Sequence, residues 1–188
     1  IPLLRIGHEI KAGVLDGGMN MRAHLPIEGY FSEVVMNYHN YAVTRADSPL
    51  KLHRLNDLSD KSVLAFQNAQ NLLGDAFNEA IKNNDKYFEL TNQALQVRML
   101  DAGRVEVVIA DFRIFLYFKK EIELETGEIY HVKFHRLFEP TPYRVVFKSR
   151  HIRDLFDKSL LEMKQTGEYD RILAKYISPD DIKQIIGD

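Results

Sequence analysis

Two strand-to-helix junctions carry the side chains best suited to holding a polar solute. At the first, Phe66-Gln67-Asn68-Ala69-Gln70-Asn71 opens a helix expected over 69–83. Free backbone N–H groups at a helix start attract an anion, and Asn68 and Gln70 add side-chain amides. Asn68 suits a plain N-cap equally well, so both readings stay open. At the second, Asp111 directly follows the apolar run Val105-Glu106-Val107-Val108-Ile109-Ala110. It reads as the N-cap of the next helix, or as a carboxylate facing a cleft and pairing with a cation on a ligand; one residue can do both. In open parallel sheets ligands bind beyond the carboxyl ends of the strands, where both junctions fall.

Other chemistries find little support. His131 and His135 share a face of an expected strand but stand about 13 Å apart, too far to clamp one ion. His8, His24, His39, His53 and His151 form no local ligand spacing, so no metal and no cofactor is expected. There is no Gly-x-Ser-x-Gly elbow, phosphate loop or dinucleotide fingerprint, and Gly17-Gly18 is a lone pair. The acid pairs Glu121 with Glu123 and Asp180 with Asp181 sit in charged surface contexts. No catalytic set emerges, and the chain is not expected to be an enzyme.

The elements that must position these residues follow from periodicity. Leu3, Ile6 and Ile10 predict a helix over 3–12 ending at Gly13, and Val14–Met21 predicts a short buried strand. The β-rich stretch 33–45 is longer than most strands, as expected of a segment passing between two lobes. Then come a strand at 62–66, the helix 69–83, a strand at 87–91, a helix at 92–102, a strand at 105–110 and a helix from 111 to about 120. Strand and helix alternating with short connections imply βαβ units and a mostly parallel sheet. Strands at 129–134 and 143–148, helices at 152–164 and 169–176, and a helix start at Ser178-Pro179-Asp180-Asp181 complete the pattern. The fold class is α/β. The β-rich passages 34–46 and 136–147 flank one complete α/β unit, which suggests one lobe inserted into another.

Composition narrows the class further. The 188 residues are 45% hydrophobic and 28% charged, as in a folded globular protein with a real core. With 25 Lys+Arg against 27 Asp+Glu, no global basic field exists to hold nucleic acid. Without cysteine there is no disulfide frame and no thiolate chemistry. No apolar run reaches the length of about 18 residues that a membrane span needs.

These residues, in this order, resemble the type 2 periplasmic solute-binding proteins, in particular the family-3 group that includes polar-amino-acid receptors of ABC transporters. Val14-Leu15-Asp16-Gly17-Gly18-Met19 is similar to that group's "A-x-x-A-G-M" strand, and Tyr30-Phe31-Ser32-Glu33 to its "F-S-x-P-Y" turn. Leu55 to Val63 resembles "L-x-D-L-K-G-K-x-V", and Gly103 to Asp111 resembles "G-R-V-D-A-V-V-x-D". Phe156 through Gly167 to Tyr176 resembles the closing helical motif. The resemblance implies that Asp111 receives a ligand ammonium, and that Asn68, Ala69 and Gln70 match a "G-T-T" receiving a carboxylate. Ala69 lacks the hydroxyl of that motif. The group's carboxylate-gripping arginine falls near Leu25, with Arg22 three residues early as its substitute and Asn20 beside it.

The resemblance therefore implies a two-lobed fold whose first lobe is incomplete at its start, the native chain extending upstream by roughly 50 residues, since a βαβ unit alone takes about 30. Lobe 1 is expected over 1–40 and 143–188, and lobe 2 over 41–142. The implied function is an extracytoplasmic or periplasmic monomer that closes on a small polar solute by hinge motion at 38–46 and 137–146, then meets a membrane permease. Its ligand-binding residues would be Asn20, Arg22, Asn68, Ala69, Gln70 and Asp111. Tyr30, Phe112 and Phe138 are read as core, with apolar ligand walls as the alternative. Rival readings are the sensor domain of a signalling protein and a dehydratase-like enzyme on the same fold.

Overall fold

The apolar spacing of the chain translates into seven helices and nine strands among the described residues, which in this computed structural model are 3–22, 25–176 and 185. Helix α1 (Leu3–Lys11) ends before Gly13, and strand β1 (Gly17–Met21) follows. Strands β2 (Tyr30–Phe31), β3 (Met36–Tyr38) and β4 (Asn40–Arg45) lead to a 3₁₀ turn at Leu55–Leu58 and strand β5 (Val63–Phe66). Next come α2 (Ala69–Leu72), α3 (Asp75–Ile81), β6 (Tyr87–Leu90), α4 (Gln93–Asp101), β7 (Val107–Asp111) and α5 (Phe112–Thr126). The chain closes with β8 (Val132–His135), β9 (Thr141–Phe147), α6 (Arg150–Gln165) and α7 (Glu168–Ala174).

These elements sort into two compact units, one built from the chain up to Tyr38 with Pro140–Lys175, the other from His39–Glu139 and the segment from Tyr176 onward. In the first unit β9 is central: β1, β2 and β3 all pair with it antiparallel. Ile10, Met21 and Val146 form its buried centre, with Ile6, Leu15, Ile27 and Phe31 packed around them. Helices α6 and α7 clamp the segment between β2 and β3 through polar contacts. Asp157 accepts the Glu33 N–H at 2.9 Å, Lys164 Nζ donates to the Val34 carbonyl at 2.8 Å, and the Tyr169 hydroxyl donates to the Val35 carbonyl at 2.7 Å.

The second unit is a five-stranded sheet in the order β6-β5-β7-β4-β8. Side chains alternate across it as a two-residue repeat demands. Leu64, Val43, Val108 and Ala110 face α4 and α5, in a cluster with Val97, Leu100, Phe112 and Phe115. Val63, Ala65, Ala42, Val107 and Ile109 face the other way, packing with Leu58, Ala69, Phe77 and Ile81. Burial on both faces explains the unbroken apolar run of β7.

Several sequence expectations need correction. The sheet is mixed: β5 runs parallel to β6 and β7, but β4 runs antiparallel to both β7 and β8. The helix expected at 69–83 is two helices, because Gly74 at φ 89° leaves the helical region and restarts the chain as α3. The helix after Asp111 runs on to Thr126, where Gly127 at φ 72° supplies the left-handed cap. The β-rich stretch 33–45 divides at His39, β3 pairing in the first unit and β4 in the second. The strand expected from Val14 begins only at Gly17. The helix start read at Ser178-Pro179-Asp180-Asp181 lies outside the described residues. The sequence reading assigns the tail to lobe 1, yet Ile185 packs against the core of the second unit.

Close pairing of β1 with β9 depends on the absence of a side chain at Gly17. A Cβ there would lie 2.7 Å from the Val146 carbonyl oxygen, which is backbone and cannot rotate away. Gly17→Ala is therefore expected to destabilise the protein by about 1–3 kcal/mol. Urea unfolding measures this, and a variant within about 0.5 kcal/mol of the parent would contradict the pairing.

Candidate functional site

Asp111 stands at the carboxyl end of β7 and is only 4% exposed. Its Oδ1 accepts the backbone N–H groups of Arg113 at 2.9 Å and Ile114 at 3.3 Å, capping α5. Its Oδ2 accepts the His39 N–H at 2.7 Å. The carboxylate is thus a cap and a tie to the chain entering β4. Burial pushes the carboxyl above its ordinary value, outweighing the three amides and the Arg113 guanidinium that favour the charged form. The adjoining side chains are stacked in sequence: the His39 ring meets Phe112 edge-on at 5.9 Å, and the Arg113 guanidinium lies 4.5 Å from the same ring centroid. Burial and the Arg113 charge hold the His39 imidazole below its ordinary value, although Asp111 pulls the other way.

The start of α2 differs from expectation. Asn68 adopts a left-handed backbone, φ 65° and ψ 20°, and its side chain does not cap the helix. The amides expected to receive a ligand carboxylate are taken by the chain itself. Glu89, on the neighbouring parallel strand β6, accepts the Asn68 N–H on Oε2 at 2.6 Å and the Gln70 N–H on Oε1 at 3.0 Å. The Tyr87 hydroxyl donates to the same Oε1 at 2.7 Å. The Ala69 methyl is fully buried in the core and presents nothing to a ligand.

In the first unit, Asn20 and Arg22 lie at the end of β1. The register of β1 against β9 shifts between Gly18 and Met21, and Asn20 at φ 58° sits inside that irregularity. A bulge re-aims side chains at a strand end. Asn20 is exposed and Arg22 half-buried. Among the described residues, Asn20 and Asn68 are the non-glycine residues with positive φ, and both belong to the expected site.

The structure therefore brings Asn68 and Gln70 together on Glu89. It sets Asp111 at the same end of the sheet, since β7 and β6 flank β5 in parallel register. Asn20 and Arg22 belong to the other unit. Of the aromatics weighed as ligand walls, Phe112 is fully buried and Phe138 packs on the core, while Tyr30 is exposed. Sequence reasoning missed Glu89 and His39. The signal for Glu89 was an acid in the otherwise apolar strand Tyr87-Phe88-Glu89-Leu90, on the same face as Tyr87.

No protein-family model matches the sequence, and no curated protein matches it. Solved structures do. An ancestral cationic amino acid solute-binding protein is similar at a TM-score of 0.70 and 18% identity, over 95% of this chain and 76% of that one. The fold is that of the type 2 periplasmic binding proteins. An amino acid ABC transporter substrate-binding protein from Streptococcus pneumoniae, bound to L-arginine, shares this periplasmic-binding fold at a TM-score of 0.65 and 17% identity, over 90% of this chain and 70% of that one. So does a histidine kinase sensor domain, at 0.66 and 18%, over 94% and 75%. The strand-end positions of Asp111 and Asn68 are thus set in a periplasmic-binding fold.

Asp111→Asn is expected to cost about 1–3 kcal/mol, because the new NH₂ group would face a donating amide in a buried place. The pH dependence has a definite sign. A carboxyl raised by folding stabilises fully below the ordinary Asp value, about 3.9, and loses that share as pH climbs through the raised folded value. The deficit of the variant should therefore shrink between about pH 3.5 and pH 7. Urea melts across that range check it, and a deficit that grows with pH contradicts it.

Proposed function

We propose that this protein is an extracytoplasmic solute-binding protein that captures a small polar solute, an amino acid or a related compound, for an ABC-type transporter. The observation that carries the reading is the pair Asn20 and Asn68, one in each compact unit, both at strand ends with left-handed backbone. Such conformations cost about 1–2 kcal/mol for residues with a Cβ, and they collect at binding sites where the surroundings hold them. The periplasmic-binding fold supports the same reading, since similar solved structures are mainly amino-acid-binding proteins.

In this proposal the two lobes close by hinge motion where the chain crosses between them, near 38–46 and 137–146. Asn20 and Arg22 contribute from the first lobe. Asn68, Gln70 and Asp111 contribute from the second, Asp111 toward a cationic group. The closed monomer then docks on a membrane permease. A sensor role is the second reading, favoured by the similarity to a histidine kinase sensor domain. Either role is one of binding rather than catalysis.

A thermal-shift screen against amino acids, polyamines, small organic acids and sugars tests the proposal. A ligand at a hundred times its Kd adds about 2.7 kcal/mol, or roughly 5–10 °C in a chain of this length. Asp111→Ala and Asn20→Ala are each expected to remove the shift given by the best hit. A folded protein that no compound in the panel stabilises would refute the receptor reading.

A further inference from the structure

The five-stranded sheet of the second unit ends at β8, whose outer edge has no strand beside it. The Ala46 N–H donates to the His131 carbonyl at 2.9 Å, and β4 and β8 keep that register as far as Ala42 opposite His135. Antiparallel partners alternate between bonded and non-bonded pairs, so His131, Lys133 and His135 turn their backbone groups toward β4. Val132 and Phe134 turn theirs outward, and among the described residues no hydrogen bond reaches those N–H and C=O groups. Their side chains pack on the core beneath α5. An edge of this kind accepts another strand unless something covers it.

A groove of about 380 Å³ lies along this edge, lined by Leu116 and Lys119 of α5, by residues 130–134 and by Ile185. Ile185, half-buried and helical, packs on the same core as Val132 and Phe134. The segment from Tyr176 onward that carries it belongs to the second unit, although α7 before it belongs to the first. Its sequence has the signature of a short helix with one apolar face. Ser178 and Asp181 stand at capping-box spacing, Pro179 falls at the first helical position, and Ile177 and Ile182 have the spacing of a hydrophobic staple. Ile182, Ile185 and Ile186 then follow at i, i+3 and i+4. A helix this short does not hold in water by itself and needs an apolar surface to pack on. Charge is complementary as well: Asp180 and Asp181 open the segment, and Lys133 on the groove is exposed, with the Ser48 carbonyl rather than a carboxylate at its Nζ.

We propose that residues 177–188 are the cover of the β8 edge: an amphipathic helix seated in the groove through Ile182, Ile185 and Ile186, its acids complementing Lys133. The partner that this surface fits is thus a segment of the same chain. Its role is to keep the sheet of the second unit closed to strand addition from other chains. The assignment does not rest on the receptor reading.

Hydrogen exchange of the full chain, read at single amides by ¹⁵N–¹H spectra, tests the cover. The Val132 and Phe134 amides should exchange at least about tenfold faster in Ile185→Asp than in wild type. Ile109, in the central strand β7, should keep its protection in both and so reports that the variant is folded. Ile185→Leu preserves the apolar anchor and should exchange as wild type does. If Ile185→Asp fails to fold, Ile182→Asp gives the same comparison from a second position on the apolar face. Equal exchange in wild type and the Asp variants would leave the edge bare. Wild-type protection that disappears on dilution, with sedimentation showing a dimer dissociating over the same range, would give the edge to a second copy. Either result overturns the proposal.

Discussion

Three backbone amides converging on the Asp111 carboxylate hold the second unit in register. Two belong to the first turn of α5 and one to His39, immediately before β4. The end of β7, the start of α5 and the entry of the chain into this unit therefore share one buried acceptor. Asn40 faces Asp111 across the β4–β7 ladder, so the same residue closes the antiparallel pairing that makes the sheet mixed. A buried acceptor with all its donors satisfied is costly to disturb, because any replacement leaves amides unpaired. The aromatic stack of His39, Phe112 and Tyr41 is built on that anchor, with Tyr41 edge-on to Phe112 at 6.1 Å.

The same principle operates at the neighbouring strand end with a different consequence. At Asn68–Gln70 the open amides of a helix start would be an invitation to an anion. Here the invitation is answered from within by Glu89, and the answer is reinforced by Tyr87. Two carboxylates thus stand at the carboxyl end of the sheet, one buried as a cap and one half-buried as an occupant. In the first unit the exposed polar groups at the end of β1 come from a strand whose register slips at Asn20.

Much of the fold was legible because its causes are local. The unbroken apolar runs of β5 and β7, the helix stop at Gly13 and the N-cap at Asp111 all follow from burial on both sheet faces or from capping chemistry within a few residues. The break at Gly74 was in the sequence too, but the apolar spacing across it, Leu72, Leu73, Phe77 and Ile81, continued as a helix would. The direction of β4 was hidden for another reason. Strand polarity depends on which neighbour a strand meets, and Asn40–Arg45 has the same apolar character whether it runs parallel or antiparallel.

The candidate site divides along the same line. Residue type and position along the chain were enough to single out Asp111 after a buried strand, because capping and strand-end chemistry act over two or three residues; Asn68 was singled out in the same way, but its side chain does not cap α2. That Glu89 would occupy the Asn68 and Gln70 amides was beyond such reading. Those bonds join residues 21 and 19 positions apart, and only the parallel pairing of β6 with β5 brings them within reach. Local sequence decides what a group can do; the packing of distant strands decides whether that capacity is left open or already spent.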